Sequence, residues 1–316
     1  MYEHVEMRKV FAAEMERLMS ENENIVYIDA DLAKGIGTLN LHQKFPDRTF
    51  NVGVAEQNMT SIAAGLSSYG FIPFISTFTP FATRRNCDQI AVSCLYAQQN
   101  VKIIGSDPGI SAQTNGGTHM SMEDIGVVRS IPNIVIFEPC DAVQLVRALP
   151  EIIAYEGTVY VRLWRLELEQ IFNDNYRFDL FRADCIKKGE DVTIFASGYM
   201  VSQAMKAAGL LAEKGIDAEI VNIHTIKPID ADGIAESVSR TGAAVVCDNH
   251  NILGGLGSAV SEVLVQKKPV PTEFVGVEDR FGQVGDLDFL AKEYHLTPED
   301  IAGKALRAVQ RKTMNE

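Results

Sequence analysis

Cysteine is scarce and unpatterned in this chain of 316 residues. Cys87, Cys94, Cys140, Cys185 and Cys247 are odd in number, far apart, and never spaced as Cys-x-x-Cys. That excludes a disulfide framework and a zinc ribbon, and leaves reduced, mostly buried thiols. Basic residues are outnumbered, 29 against 42 acidic, for a formal charge of −13. A uniformly acidic surface repels phosphodiester backbones and anionic lipid, so neither nucleic acid nor membrane is an expected partner. Any anionic ligand must be held by a few local cationic side chains. No apolar run approaches the ~18 residues of a membrane span, and the opening MYEHVEMRKVFAAEMERLM is acidic and amphipathic, unlike a signal or transit peptide. A cytoplasmic protein is expected. Nucleotide loops are also missing. NGGTH, at Asn115 to His119, is not followed by Lys-Ser/Thr, so it is no P-loop. GGLGSAV, at Gly254 to Val260, follows NHNIL and has no acidic residue at the dinucleotide offset. It reads as a tight turn into a helix, and a Rossmann dehydrogenase is not expected.

What is present is material for two compact units, with 46% hydrophobic residues. A helix is predicted over Val5 to Ser20, then a strand over Ile25 to Asp31. A small-residue helix over Gln57 to Tyr69 precedes the strand FIPFIST at Phe71 to Thr77. A helix over Arg84 to Gln98 leads to VKIIGS, and the strands IVIFEP and TVYVRL flank a helix after Asp141. Strands alternate with helices and are mostly continuous apolar runs, the pattern of a parallel sheet covered on both faces. Over 172–189 the periodicity fails, which reads as a linker with a leading hairpin. A second series follows: DVTIFASG, a helix through Met205 to Lys214, IDAEIVNIHTI, a helix capped by Asp230, AAVVCDNH, a helix after the glycine turn, TEFVGVED, and a helix over Pro298 to Arg311. The expected organisation is two consecutive three-layer α/β domains, residues 1–171 and 190–316, joined by 172–189.

The segment NVGVAEQNM places Glu56 between an apolar stretch and a helix rich in Ala, Gly and Ser. A nearly buried carboxyl there needs a partner or a raised pKa, although a helix-terminal acid stabilised by the dipole is an equally good reading of Glu56 alone. The next segment, ISTFTPF, supplies Phe78 and Phe81 just after a strand end. A flat aromatic beside a carboxylate suits a planar heterocycle whose ring nitrogen must be hydrogen-bonded.

Five segments in order, VAEQNM, STFTPF, NGGTHMSMEDIGVVRSIPN, NIHTIKPID and HNILGGLGSAVSEV, resemble the C-terminal half of transketolase, and most of all the separate second subunit of a split transketolase. The resemblance runs from Met7 to about Ala308. It implies a pyrimidine-binding domain, a transketolase C-terminal domain, and thiamin diphosphate as cofactor. By resemblance Glu56 hydrogen-bonds the aminopyrimidine, Phe81 stacks on it and Phe78 borders the pocket. Leu32 matches the apolar residue that helps hold the cofactor bent, with the acidic Asp31 beside it. His119 matches a histidine that binds donor-sugar oxygens and assists proton transfer, and Arg8 and Arg162 match arginines that clamp the sugar phosphate. Arg84 stands where the family often has a tyrosine, in reach of an anionic group.

Departures are informative too. Ser106, Asp107 and Pro108 replace the family's His-Asp-Ser, the stretch around Asn115 lacks the expected acid, and Gly35 or a neighbour stands for a phosphate-holding serine. Trp164 and Arg165 follow Arg162. Two-carbon ketol transfer remains the expectation, with a phosphate, branched-sugar phosphate or sulfonated sugar as donor. The Gly-Asp-Gly…Asn segment that holds diphosphate and Mg²⁺ in such enzymes is missing here; GDLD at Gly285 to Asp288 lacks its second glycine. The resemblance therefore implies an N-terminal partner subunit supplying the Mg²⁺ ligands, two of each chain, and an inactive lone chain. The beta subunit of a 2-oxo-acid dehydrogenase, a deoxyxylulose-phosphate-synthase-like enzyme and a noncatalytic scaffold are the alternatives.

Overall fold

Runs of apolar residues without alternation are buried on both faces when they form strands, and helices must cover them. The computed structural model describes residues 4–314 and shows this arrangement twice. Its strands are β1 (Ile25–Asp29), β2 (Thr49–Asn51), β3 (Ile72–Phe78), β4 (Lys102–Ser106), β5 (Val135–Phe137), β6 (Val159–Leu163), β7 (Asp184–Lys187), β8 (Val192–Ala196), β9 (Ala218–Asn222), β10 (Thr225–Lys227), β11 (Ala244–Asn251) and β12 (Thr272–Val277). One sheet has the order β10-β5-β6-β4-β3-β1-β2 and the other β12-β11-β8-β9-β7. All pairings are parallel except β10 on β5 and β7 on β9. Every residue of β1, β4, β6, β8 and β9 is buried. No helix of the described residues is long and apolar enough to cross a membrane.

The helix Met7–Glu21 turns Met7, Val10, Phe11, Met15, Leu18 and Met19 onto the first sheet. Asp141 and Asp230 cap the helices Ala142–Ala154 and Ala231–Thr241 by accepting from Gln144 N and Gly233 N. Three local expectations need correction. IDAEIVNIHTI is not one strand. It breaks at Ile223 and His224 into β9 and β10, which lie in different sheets, so the second half of the chain lends an edge strand to the first sheet. The crossing is held by hydrogen bonds: the His224 ring donates from Nε2 to the Arg182 carbonyl at 2.7 Å, and Glu138 N donates to the His224 carbonyl at 2.8 Å. The stretch 172–189 carries no leading hairpin. Its strand β7 pairs with β9, far along the chain. The helix expected over Arg84 to Gln98 is three pieces, a 3-10 turn (Arg84–Asn86), one α turn (Cys87–Gln89) and a π-helical stretch (Ile90–Tyr96), after a break at Thr83 (φ −124°, ψ −82°).

Arg162, on β6, joins the two sheets. It is 0% exposed. Its Nε donates to Asp124 Oδ2 at 2.8 Å, Nη1 to Glu138 Oε1 at 2.8 Å, and Nη2 to the carbonyl of Asn249 on β11 at 2.7 Å. Burial opposes ionisation of Asp124, but Arg162, with smaller contributions from His250 and the Tyr160 hydroxyl, outweighs it and holds that carboxyl below its ordinary range. At Glu138 burial wins and the carboxyl is pushed up. Two acids share one guanidinium in a dry interior, so its removal strands both. Arg162→Met is expected to lower unfolding free energy by about 3–5 kcal/mol, read as a shifted urea midpoint. A loss under about 1 kcal/mol would show that the network does not hold the sheets together.

Candidate active site

In open parallel sheets, loops at the carboxyl ends of strands gather the functional groups. Here β1, β3, β4 and β6 end side by side, with Asp29 paired to Ser76, Phe78 to Ser106, and Ser106 to Leu163. Phe78 closes β3, and Phe81 follows in the short helix Thr79–Ala82. Their ring centroids are 6.3 Å apart, and His119 lies edge-on to both, at 5.7 and 5.2 Å. The His119 Nδ1 is 2.9 Å from Thr118 Oγ1.

Glu56 opens the helix Glu56–Ser68 and is 3% exposed. Its Oε1 accepts from Arg85 Nη1 at 2.8 Å, and the same guanidinium sits 4.0 Å from the centroid of Phe81. A buried carboxylate and an aromatic face thus both address one planar N–H donor. An aminopyrimidine is also a planar N–H donor, so these residues fit the pyrimidine half of thiamin diphosphate. Leu32 belongs to the same wall: a methyl group at Gly35 would meet Leu32 at 3.6 Å and Phe78 at 3.8 Å.

The Gly35 carbonyl accepts from Arg8 Nη1 at 2.8 Å, which brings Arg8 to this edge. The other side of Arg8 is held by Glu6. Arg162 is not with them. It is enclosed by Asp124, Glu138 and Asn249, and has no surface to offer a substrate. Arg165, not Arg162, lies beside Arg8. The Arg8 amide donates to the Arg165 carbonyl at 3.4 Å, and the partly exposed Arg165 donates from Nη1 to Asp107 Oδ2 at 3.3 Å. Arg84 turns away to Glu123 at 2.6 Å, beside a cavity of about 310 Å³ bordered by Met120, Asn251 and Phe281. Asp31 is exposed and is held by Asn51.

Asp29 and Arg85 escape the reading by residue type, and Asp107 and Arg165 enter it only as departures from the family pattern. Asp29, buried at the end of β1, accepts from Leu32 N and Ala33 N and lies 2.7 Å from His42 Nε2, so it fixes the turn that carries Leu32. Its signal was an acid at the end of an apolar strand. Arg165 stands two residues beyond the end of β6, where a side chain can leave the core, whereas Arg162 lies within the strand. Asp107 has a positive φ of 60° and is 1% exposed, with Oδ1 unpartnered. Burial, resisted by Arg165, pushes its carboxyl up to about 6. Asn249 holds the loop that follows by accepting from Ile110 N and donating to the Pro108 carbonyl. Gly109, at φ +52°, lies where any Cβ would strike the Asn249 amide at 2.3 Å. Among the described residues no group of three or more His, Cys, Asp or Glu converges as metal ligands would.

The chain belongs to the transketolase family of transferases: the transketolase pyrimidine binding domain matches residues 3–170 and the transketolase C-terminal domain residues 182–301. Within that family it is 45% identical to the 6-deoxy-6-sulfo-D-fructose transketolase subunit of Clostridium sp., over 92% of this chain and 91% of that protein. It is 33% identical to an apulose-4-phosphate transketolase subunit of Phocaeicola vulgatus, over 96% and 97% of the two chains. A solved structure described as a split gene transketolase in an inactive beta4 tetramer superposes with a TM-score of 0.89 and 38% identity, over 98% of this chain and 99% of that one.

A buried carboxylate with a free oxygen has a consequence for stability. The folded chain holds the Asp107 proton up to about pH 6, whereas the ordinary carboxyl releases it near 3.8. Between those values the folded state binds more protons, so stability falls as pH rises across the window. Asp107→Asn is expected to equal the wild type below about pH 4 and to exceed it by up to about 3 kcal/mol above pH 6. Urea denaturation at a series of pH values checks this. A difference that stays flat across the window would contradict it.

Proposed function

We propose that this chain is the pyrimidine-binding subunit of a two-component transketolase. It moves a two-carbon ketol unit from a ketose with a terminal anion to an aldose. The observation that carries the reading is the buried Glu56 facing a planar N–H donor that lies on Phe81. Glu56, Phe78, Phe81 and Leu32 would hold the pyrimidine of thiamin diphosphate. Bound there, the cofactor supplies an electron sink for the transferred carbon unit.

The residues of this chain have separate tasks. Glu56 shares a proton with the ring nitrogen, and its burial fixes the direction of that hydrogen bond. For this Arg85 must release the carboxylate, and its half-exposed side chain has room to swing outward. Phe81 supplies a flat apolar face and Phe78 excludes water beside it. His119, edge-on to both rings, is positioned to bind donor oxygens and to move a proton at them. Arg8 and Arg165 hold the terminal anion, since a guanidinium fork pairs with two anionic oxygens at once. Arg162 sustains the site from behind by fixing β6, which carries Arg165.

Diphosphate and Mg²⁺ would be held by a second chain, in an assembly of two of each in the cytoplasm. Relatives described as transketolase subunits, matched over nearly their full length, support a partner. The inactive tetramer of a similar chain supports a lone chain without activity. The proposed division is a pyrimidine-binding unit up to residue 171 and a C-terminal unit from 190. With the diphosphate-binding subunit, two-carbon transfer is expected, and none by this chain alone. Glu56→Ala in the pair is expected to lower kcat/KM at least about 10²-fold. Activity of the lone chain, or a pair indifferent to Glu56→Ala, would overturn the reading, and turnover of a 2-oxo acid in place of ketoses would redirect it to deoxyxylulose-phosphate-type chemistry.

A further inference from the structure

We infer that the seam between the two sheets holds a second ligand site, formed by Arg129 and Lys227, for a small phosphate ester with an apolar body. The site lies apart from the one described above and does not depend on the transketolase reading.

Its position follows from the topology. β10 runs antiparallel to β5 with Lys227 opposite Ile136, so Lys227 lies toward the amino end of the first sheet. Glu56, Phe81 and Arg8 gather at the carboxyl ends. Arg129 closes the helix Asp124–Arg129, and across from it runs the helix Leu256–Lys267 of the second half, which carries Glu262. Between these elements is a cavity of about 400 Å³, room enough for a small organic ligand. Ile226, Ala259 and Val263 give it an apolar wall, and Arg129 and Lys227 border the same space.

Two cations stand together there, in a chain where basic residues are the minority, 29 against 42 acidic. Lys227 Nζ donates to the carbonyls of Arg129 and Ile131, both at 2.6 Å, which pins it to the end of the helix that carries Arg129. An ammonium has three donors, so one N–H is left over. Burial, and after it the Arg129 charge, hold Lys227 below its ordinary range, and among the described residues no carboxylate pairs with it. Arg129 Nε is buried with no acceptor. A buried donor left unpaired costs stability. An oxyanion in the cavity supplies acceptors to both cations and relieves their repulsion.

Glu262 holds the place meanwhile. It accepts from Arg129 Nη1 at 3.0 Å and from Nη2, but its side chain is 62% exposed, against 16% for Arg129. An ion pair with so exposed a partner is worth little, and the carboxylate can turn into water. That leaves two positive charges, since the pair Lys267–Asp232, next along the same helix, is neutral in itself. A phosphate monoester carries about −1.5 to −2 charges at pH 7 and matches them. A carboxylate carries only one.

Calorimetric titration of the full chain with phenyl phosphate tests the site, with benzoate, inorganic phosphate and benzyl alcohol as comparisons. Phenyl phosphate is expected to bind with a Kd below about 1 mM. It should bind at least about fivefold tighter than benzoate or inorganic phosphate, and benzyl alcohol should not bind. Arg129→Gln is expected to weaken phenyl phosphate at least about tenfold. Glu262→Gln is expected to tighten it about threefold or more, because the competing carboxylate is gone. No binding by the wild type, an affinity indifferent to both substitutions, or benzoate binding as tightly as phenyl phosphate overturns the inference. Loss of binding on Arg165→Gln without loss on Arg129→Gln places the anion beside Arg8 and overturns it too. Should Arg129→Gln fail to fold, the surface substitution Glu262→Gln decides: an ion pair that only joins the two halves of the chain loses stability on that change and gains no affinity.

Discussion

One buried guanidinium carries much of this architecture. Arg162 lies within β6 in the first sheet, one residue before its end, and binds the carbonyl of Asn249 on β11 in the second. On the way it neutralises Asp124, at the start of a helix, and Glu138, just past β5. Glu138 in turn accepts from Ser197 beyond β8 at 2.7 Å. A buried ion pair of this kind adds little net stability over a hydrophobic replacement, but removing one member is severe. Its value here is geometric. It fixes the strand ends from which Ser106, Asp107, Leu163 and Arg165 emerge, and so fixes the corner where Arg8 and Arg165 meet.

The same constraint explains how far the chain could be read from its residues. Continuous apolar runs placed β1, β3, β4, β6, β8 and β11 close to their true bounds, because burial on both faces leaves a strong and local signature. The structure brings Glu56, Phe78, Phe81, Leu32 and His119 near one another and Arg8 beside Gly35; residue type singles out only Glu56, Phe78 and Phe81, and the other three rest on the family resemblance. Arg162 and Arg165 were the hard choice. Both stand in YVRLWR, and spacing alone does not tell which arginine remains in the sheet. That depends on where β6 ends and on Asp124 and Glu138, which are remote in sequence. The splitting of NIHTI between two sheets was hidden for a similar reason, since its cause is a hydrogen bond from His224 to a carbonyl 42 positions away.

The carboxyl edge of the first sheet has half of a site. The wall proposed for the pyrimidine has a carboxylate and a ring face that accept a planar cation, Arg85. Groups suited to diphosphate and a hard divalent ion are of a different kind: carboxylate and amide oxygens at close quarters. In the proposed function the two halves are divided between chains, which would make assembly a condition for chemistry and leave Arg85 paired with Glu56 until the cofactor replaces it.

The central claim is that this chain contributes the pyrimidine seat through Glu56. Calorimetric titration of thiamin diphosphate with Mg²⁺ into the chain alone, the pair, and the pair carrying Glu56→Gln tests it most directly. The account predicts Mg²⁺-dependent binding by the pair, none by the lone chain, and altered circular dichroism of the cofactor in the Glu56→Gln pair. An assembled pair that binds no cofactor, or binds it with the same affinity and the same dichroism after Glu56→Gln, would contradict it.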